Sequence, residues 1–190
     1  CVAKVMKTKK YCFMREVKAQ NLAASSKLAV DIMSTHYCTD EQIGIIIMKE
    51  FPGKTLYDHI INKEGIDIDT LSALITKTFI LFQELNLIGV YHTDTHLHNI
   101  MYNEETNQLI IIDFGNVKNA TGQQDGRFKL NNFKSNCQTV INTLGSSHIW
   151  RSLRISNKIE FLNAIAAKIE KLFTNNDYKS LIDCQNTKSM

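Results

Sequence analysis

Apolar positions along this chain recur with two different periods, and the switches between them mark its elements. Val2 to Met6 reads as a strand. Cys12 to Leu28 predicts a helix, with Phe13, Val17, Leu22 and Leu28 as its apolar positions. Ala29 to Met33 predicts a short strand, and Thr39-Asp40-Glu41-Gln42 a polar turn. The β-branched run Ile43 to Met48 predicts a buried strand. Phe51-Pro52-Gly53-Lys54 breaks the pattern and reads as a linker. Thr55 is placed to cap a short helix ending near Asn62, with Asp58 in the capping-box position. Leu71, Leu74, Ile75, Phe79, Phe82 and Leu85 predict one long helix with a single apolar face, and Gly89 supplies its stop. Asn99 to Tyr102 and Leu109 to Ile112 flank a polar turn and predict a hairpin. Beyond Gly115 the chain is polar and loop-like to about Asn131. Asn132 to Leu144 and Asn157 to Phe173 then read as helices. The second carries a stripe of Ile159, Leu162, Ile165, Ile169 and Leu172, which is read as core packing rather than a partner-binding face.

Composition narrows the class without naming a function. The 190 residues suffice for one good-sized core or two small lobes. At 44% hydrophobic and 22% charged, the chain is ordinary for a globular protein. A net charge of +3 gives no nucleic-acid or anionic-membrane signal. No apolar run approaches the roughly 20 residues that span a bilayer. The five cysteines are scattered, with no C-x-x-C, which favours free thiols in a reducing compartment over a disulfide or zinc framework. An intracellular setting is therefore expected. The chain opens on Cys1 rather than Met, so a fragment or processed product is expected. Richness in Ile, Asn and Lys with a single proline suggests an AT-rich genome, and a large DNA virus would fit. In that case the setting would be host cytoplasm or virion.

The chemistry concentrates between residues 92 and 115. His92-Thr93-Asp94-Thr95-His96-Leu97-His98-Asn99 is followed by Ile111-Ile112-Asp113-Phe114-Gly115. Phosphoryl transfer needs a carboxylate to orient the attacking hydroxyl, and oxygen ligands for magnesium on the ATP phosphates. Asp94 can supply the first, and Asn99 with Asp113 the second. His92, Asp94, His96 and His98 also alternate, and on an extended strand they would share one face as zinc or iron ligands. That weaker alternative leaves Asn99 and Asp113-Phe114-Gly115 without a role.

The pattern H-x-D-x-x-x-x-N followed by D-F-G resembles the catalytic core of the protein-kinase-like superfamily. The order of predicted elements is similar to a kinase from its third strand onward, over roughly residues 1 to 145. The resemblance implies an α+β, bilobal protein-kinase-like fold. Residues 1–50 would form a partial N-lobe, 51–54 a hinge, and 55–190 a small, mainly helical C-lobe. It implies ATP and Mg2+ as cofactors. Lys4 resembles the strand lysine that holds the α- and β-phosphates, and Glu16 the helix glutamate paired with it. Met48, Glu50 and Phe51 lie in the segment that resembles the hinge receiving adenine, with Met48 as gatekeeper. Asp94 would be the catalytic carboxylate, Asn99 and Asp113 the magnesium ligands, and His92 a structural residue packed near Phe114. His96 stands where most protein kinases carry a lysine or an arginine-alanine variant, and would contact the γ-phosphate or hydrogen-bond within the loop.

Departures from the family pattern refine the expectation. The first glycine is Gly44, so the glycine-rich loop and its two strands are expected upstream of this chain. Gln20, one turn past Glu16, replaces an apolar residue. No A-P-E follows Asp113-Phe114-Gly115, which is similar to compact atypical kinases such as the kinase of the KEOPS complex. Asn136 stands near the place where such kinases hold a helix aspartate. His96 makes the loop resemble the aminoglycoside and choline kinase branch. The leading expectation is an atypical Ser/Thr protein kinase, with a protein or small-molecule hydroxyl as acceptor. A small-molecule kinase and a pseudokinase interaction module are the alternatives.

Overall fold

The computed structural model describes residues 1–62, 66–118 and 126–144, together with residues 161, 163–165 and 167. The fold is α+β, built from three small antiparallel sheets and four helices among the described residues. Strands β1 (Val2–Lys7), β2 (Ile32–Cys38) and β3 (Ile43–Met48) form the first sheet, in the order β1-β3-β2. The predicted strand at 29–33 thus lies further along. Its sequence IMSTHYC is mostly exposed and alternates little, so the hydrophobic period did not mark it. Helix α1 (Lys10–Ser25) packs across this sheet.

The register pairs Val2 with Met48, Lys4 with Ile46, and Met6 with Gly44. Paired residues share a face, so this set looks toward α1. Phe13, Val17 and Ile46 form a small core there, with Met6, Ile32, Tyr37 and Met48 against it. The inward positions of α1 are Phe13, Glu16, Val17, Gln20 and Ala23. Leu22, expected among the apolar contacts, is on the outer face and exposed. Two inward positions are polar, which hides the buried face from a hydrophobicity pattern.

A larger core surrounds helix α3 (Ile68–Leu87). All six apolar residues that predict this helix are buried. Asp67 caps its start by accepting from the Thr70 N–H at 2.7 Å, and Gly89, at φ 81°, follows its end. The two-residue strand β4 (Lys54–Thr55) leads into α2 (Leu56–Asn62). The Thr55 hydroxyl accepts from the Asp58 N–H at 3.0 Å and donates to the Asp58 carboxylate, so the expected cap forms. The hairpin of β6 (Ile100–Asn103) and β7 (Gln108–Ile111) forms as predicted, and β4 pairs with β6.

Two described segments beyond Gly115 are regular where a loop-like stretch to about Asn131 is expected. Strand β8 (Val117–Lys118) pairs with β5 (Tyr91–His92), and α4 (Gly126–Leu144) begins six residues before the predicted start. Phe133, Val140 and Leu144 of α4 join the larger core. Of the last predicted stripe, Ile165 is buried; Ile159, Leu162, Ile169 and Leu172 lie outside the described residues. The four cysteines among the described residues are free, as expected; Cys184 lies outside them. No helix among the described residues is long and apolar enough to cross a membrane.

Gly44 is required by close approach. A Cβ there would stand 2.3 Å from Cδ2 of Phe13, whose ring is fully buried. Gly44→Ala is expected to destabilise the fold by about 1–3 kcal/mol in urea titration. Part of that loss should return in a Phe13→Leu background, because the two sites share one contact.

Candidate active site

Strand β1 directs Lys4 to the face that α1 covers, and α1 presents Glu16 to it. The Lys4 ammonium donates to Glu16 Oε1 at 2.5 Å and to Asp113 Oδ1 at 2.6 Å. Glu16 is 4% exposed, so the ammonium is its counter-ion in a place with little water. Glu16 meets Lys4 although Gln20 stands one turn further on in place of an apolar residue. Gln20 is itself buried, and its amide donates to the Val30 carbonyl at 3.3 Å and contacts Met48 Sδ at 3.6 Å.

Burial alone would lower the Lys4 pKa. The hydrogen bonds to Asp113 and Glu16, with both charges behind them, outweigh it and hold the ammonium above its ordinary value. Burial likewise pushes the Asp113 carboxyl up. The hydrogen bond and charge of Lys4, with the Gly115 N–H, hold it below the ordinary aspartate value. Asp113 has φ 62° and ψ 71°, a left-handed conformation that Asp tolerates better than most residues. Its Oδ1 accepts from the Gly115 N–H at 3.3 Å, closing a turn over Phe114-Gly115-Asn116.

The loop after β5 carries the second group. His92 is buried, edge-on to Phe114 with ring centroids 5.5 Å apart, the structural place expected of it. Its Nε2 donates to the Asp113 carbonyl at 2.8 Å, while Nδ1 accepts from the Asp94 N–H at 3.2 Å. Those two bonds require the neutral tautomer with the proton on Nε2. The Asn99 amide donates to the Asp94 carbonyl at 2.9 Å, which leaves its Oδ1 as an oxygen donor. The Ile112 N–H donates to the Asn99 carbonyl at 2.9 Å, setting Asn99 beside the residue that precedes Asp113.

The Asp94 carboxylate accepts from Asn116 Nδ2 at 3.1 Å through Oδ2, and its Oδ1 stands 3.4 Å from His96 Nε2. His96 Nδ1 is buried without a partner among the described residues. The alternating set His92, Asp94, His96 and His98 does not converge as metal ligands. Both nitrogens of His92 are engaged in backbone bonds, and His98 stacks on Tyr57 at 4.0 Å. Among the described residues no group of three or more His, Cys, Asp and Glu could hold a metal ion. The hard oxygens of Asp113 and Asn99 are the kind of partial shell that magnesium accepts when phosphate and water complete it.

Sequence reasoning missed two residues here. Asn116 carries no motif beyond its place after Asp113-Phe114-Gly115. Asn132 donates to the His92 carbonyl at 3.1 Å from within α4, and Asn136 donates to Asn132 in turn. The helix side chain that touches the loop is thus Asn132, one turn before Asn136.

A cleft of about 430 Å³ opens beside Lys4 and Asp113. Val2, Val30, Met101 and Ile112 give it apolar walls, and Met48, Glu50 and Phe51 line it too. Five of the sequence-predicted residues, Lys4, Met48, Glu50, Phe51 and Asp113, therefore share one cavity, with Glu16 held to it through Lys4. Asp94, His96 and Asn99 lie outside its lining, joined to it through the 113–116 segment.

The family model described as ABC1 atypical kinase-like domain matches residues 14–137. The chain belongs to this ABC1 atypical kinase-like family. The match takes in Glu16, Asp94, Asn99, Asp113 and Asn132, while Lys4 precedes it. The protein-kinase-like superfamily expected from the motifs is thereby shown, in its ABC1 branch. A relative in Dictyostelium discoideum, "Probable serine/threonine-protein kinase fnkB", is 27% identical over 109 residues. That alignment covers 57% of this ABC1-type chain and 19% of the relative.

The buried imidazole makes stability depend on pH. Burial holds the His92 pKa below its ordinary value of 6.5, despite its hydrogen bond to the Asp113 carbonyl and the nearby carboxylates. As pH falls below 6.5 the unfolded chain takes up a proton that the folded chain resists. The stabilisation from this group is thus complete above that pH and is lost on acidification. Thermal midpoints recorded from about pH 7.5 down to about 5 are expected to fall, with a shallower fall in His92→Gln.

Proposed function

We propose that this chain is a phosphotransferase that uses ATP and magnesium and passes the γ-phosphate to a hydroxyl group, foremost a Ser or Thr of a protein. One observation carries this. A single ammonium, Lys4, joins a buried helix carboxylate to the Asp113 carboxylate at the edge of an apolar-walled cleft. ATP with magnesium supplies the phosphoryl group when bound. Lys4 would hold the α- and β-phosphates, and Glu16 would keep Lys4 directed at them. Asp113 and Asn99 would hold magnesium through oxygen. Met48, Glu50 and Phe51 would border the adenine. Asp94 would orient the acceptor hydroxyl, with His96 beside it. In this proposal residues 1–50 act as one lobe, 51–54 as the hinge, and 55–190 as the other.

The protein acceptor is favoured by the likeness to the Dictyostelium relative, a probable serine/threonine-protein kinase. A small-molecule acceptor is the second candidate, favoured by His96 facing Asp94. Transfer to a protein panel, set against an aminoglycoside and choline panel, separates the two.

Ligand at 100 times its dissociation constant adds about 2.7 kcal/mol. For a chain of this size that corresponds to a rise in thermal midpoint of roughly 5–10 °C. A magnesium-dependent rise with ATP is expected, and it should vanish in Asp113→Asn. No rise in the wild type, or an equal rise in the variant, would overturn the assignment.

A further inference from the structure

The two carboxylate oxygens of Asp94 face different partners. Oδ2 is taken by the Asn116 amide at 3.1 Å. Oδ1 faces the His96 imidazole at 3.4 Å, beyond a good hydrogen bond. A carboxylate held at one oxygen by a neutral donor loses its freedom to rotate about χ2. Oδ1, with the longer contact to His96, is the oxygen available to an acceptor hydroxyl.

The backbone of Asn116 is fixed independently of its side chain. Its carbonyl accepts from the Thr93 N–H at 2.9 Å and from the Thr93 hydroxyl at 2.7 Å. These bonds extend the β5–β8 ladder, in which His92 pairs with Val117. The amide is therefore carried on a rung that the backbone holds in place, next to Asp113-Phe114-Gly115. The side chain is exposed, and its amide donates to Asp94. It makes little contribution to packing, and its loss should not unfold the loop.

We propose that Asn116 is a positioning residue. Its amide fixes the Asp94 carboxylate so that Oδ1 faces the acceptor hydroxyl, and it makes that orientation depend on the placement of the Asp113 segment. This inference rests on the phosphotransferase reading above. It adds that the base and the metal-holding aspartate are set by one short strand end rather than separately. When the 113–116 segment shifts, Asp94 loses its orienting donor even though its own loop stays in place.

Two substitutions separate positioning from structure. Asn116→Ala removes the donor. Asn116→Asp keeps the shape, removes the donor and places a second negative charge against Asp94. With ATP, magnesium and the best acceptor from the panels, kcat should fall about 10- to 100-fold in Asn116→Ala, the scale of a misplaced reacting group, and further in Asn116→Asp. The KM for ATP should stay within about twofold and the thermal midpoint should not change, because the nucleotide cleft is untouched. Asn116→Ser, which restores a shorter donor, should recover part of kcat. An unchanged kcat in Asn116→Ala beside an active wild type overturns the proposal and leaves the phosphotransferase reading standing. A wild type that transfers no phosphate to either panel overturns both. A readout without catalysis checks the contact itself. The side-chain amide NMR signals of Asn116, assigned by their absence in Asn116→Ala, should move in Asp94→Asn. Unmoved signals overturn the proposal whatever the activity.

Discussion

The Lys4 ammonium, shared by Glu16 and Asp113, sets most of what surrounds it. A carboxylate as buried as Glu16 is tolerated only with a counter-ion and hydrogen bonds in place. Meeting that condition fixes the rotation of α1 on its sheet. Once Glu16 faces inward, Phe13, Val17, Gln20 and Ala23 must follow, and Leu22 must face solvent. Phe13 then falls on β3, where only a glycine leaves room for its ring. A single charged contact thus dictates a packing register, and the register dictates a glycine.

The loop that bears Asp94 is held differently, by neutral groups. His92 in one tautomer, Asn99, Asn116 and Asn132 supply its side-chain donors. Amides do not titrate and are not screened by salt, so this geometry should persist where an ion pair would weaken. Two close charged contacts gather on Lys4, at the edge of the cleft. Neutral polarity does the holding behind it.

The division between what the sequence discloses and what it conceals follows the same physics. Helix α3 was legible because six apolar side chains return at helical spacing and all are buried. Glu16, Asp94, Asn99 and Asp113 stand out as candidates because their residue types and spacing are unusual together. The inner face of α1 was not, since Glu16 and Gln20 occupy it for reasons other than hydrophobicity. Strand β2 was displaced because it is mostly exposed. Strands β5 and β8 have two residues each, too few to show any period. Asn116 and Asn132 were missed because an asparagine in an asparagine-rich chain carries no local signal. Their importance arises only from what folding brings beside them.

Helix α1 is tied at both ends, to different parts of the site. Just beyond its C-terminus the Leu28 N–H donates to the Ala23 carbonyl, and the Leu28 carbonyl accepts from the Ile111 N–H at 2.9 Å, two residues before Asp113. Just before its N-terminus the Thr8 N–H donates to the Gln42 carbonyl at 2.8 Å and the Thr8 carbonyl accepts from the Tyr37 hydroxyl at 2.8 Å. Phe13, in the first turn, is seated on Gly44 of the same sheet. The helix is therefore a strut between the sheet that carries Lys4 and the strand that leads to Asp113. At the usual helical rise a tilt of about 10° carries a point about 14 Å along it by about 2 Å. Glu16 lies between the two ties, so the ion pair reports how those two pieces sit relative to each other.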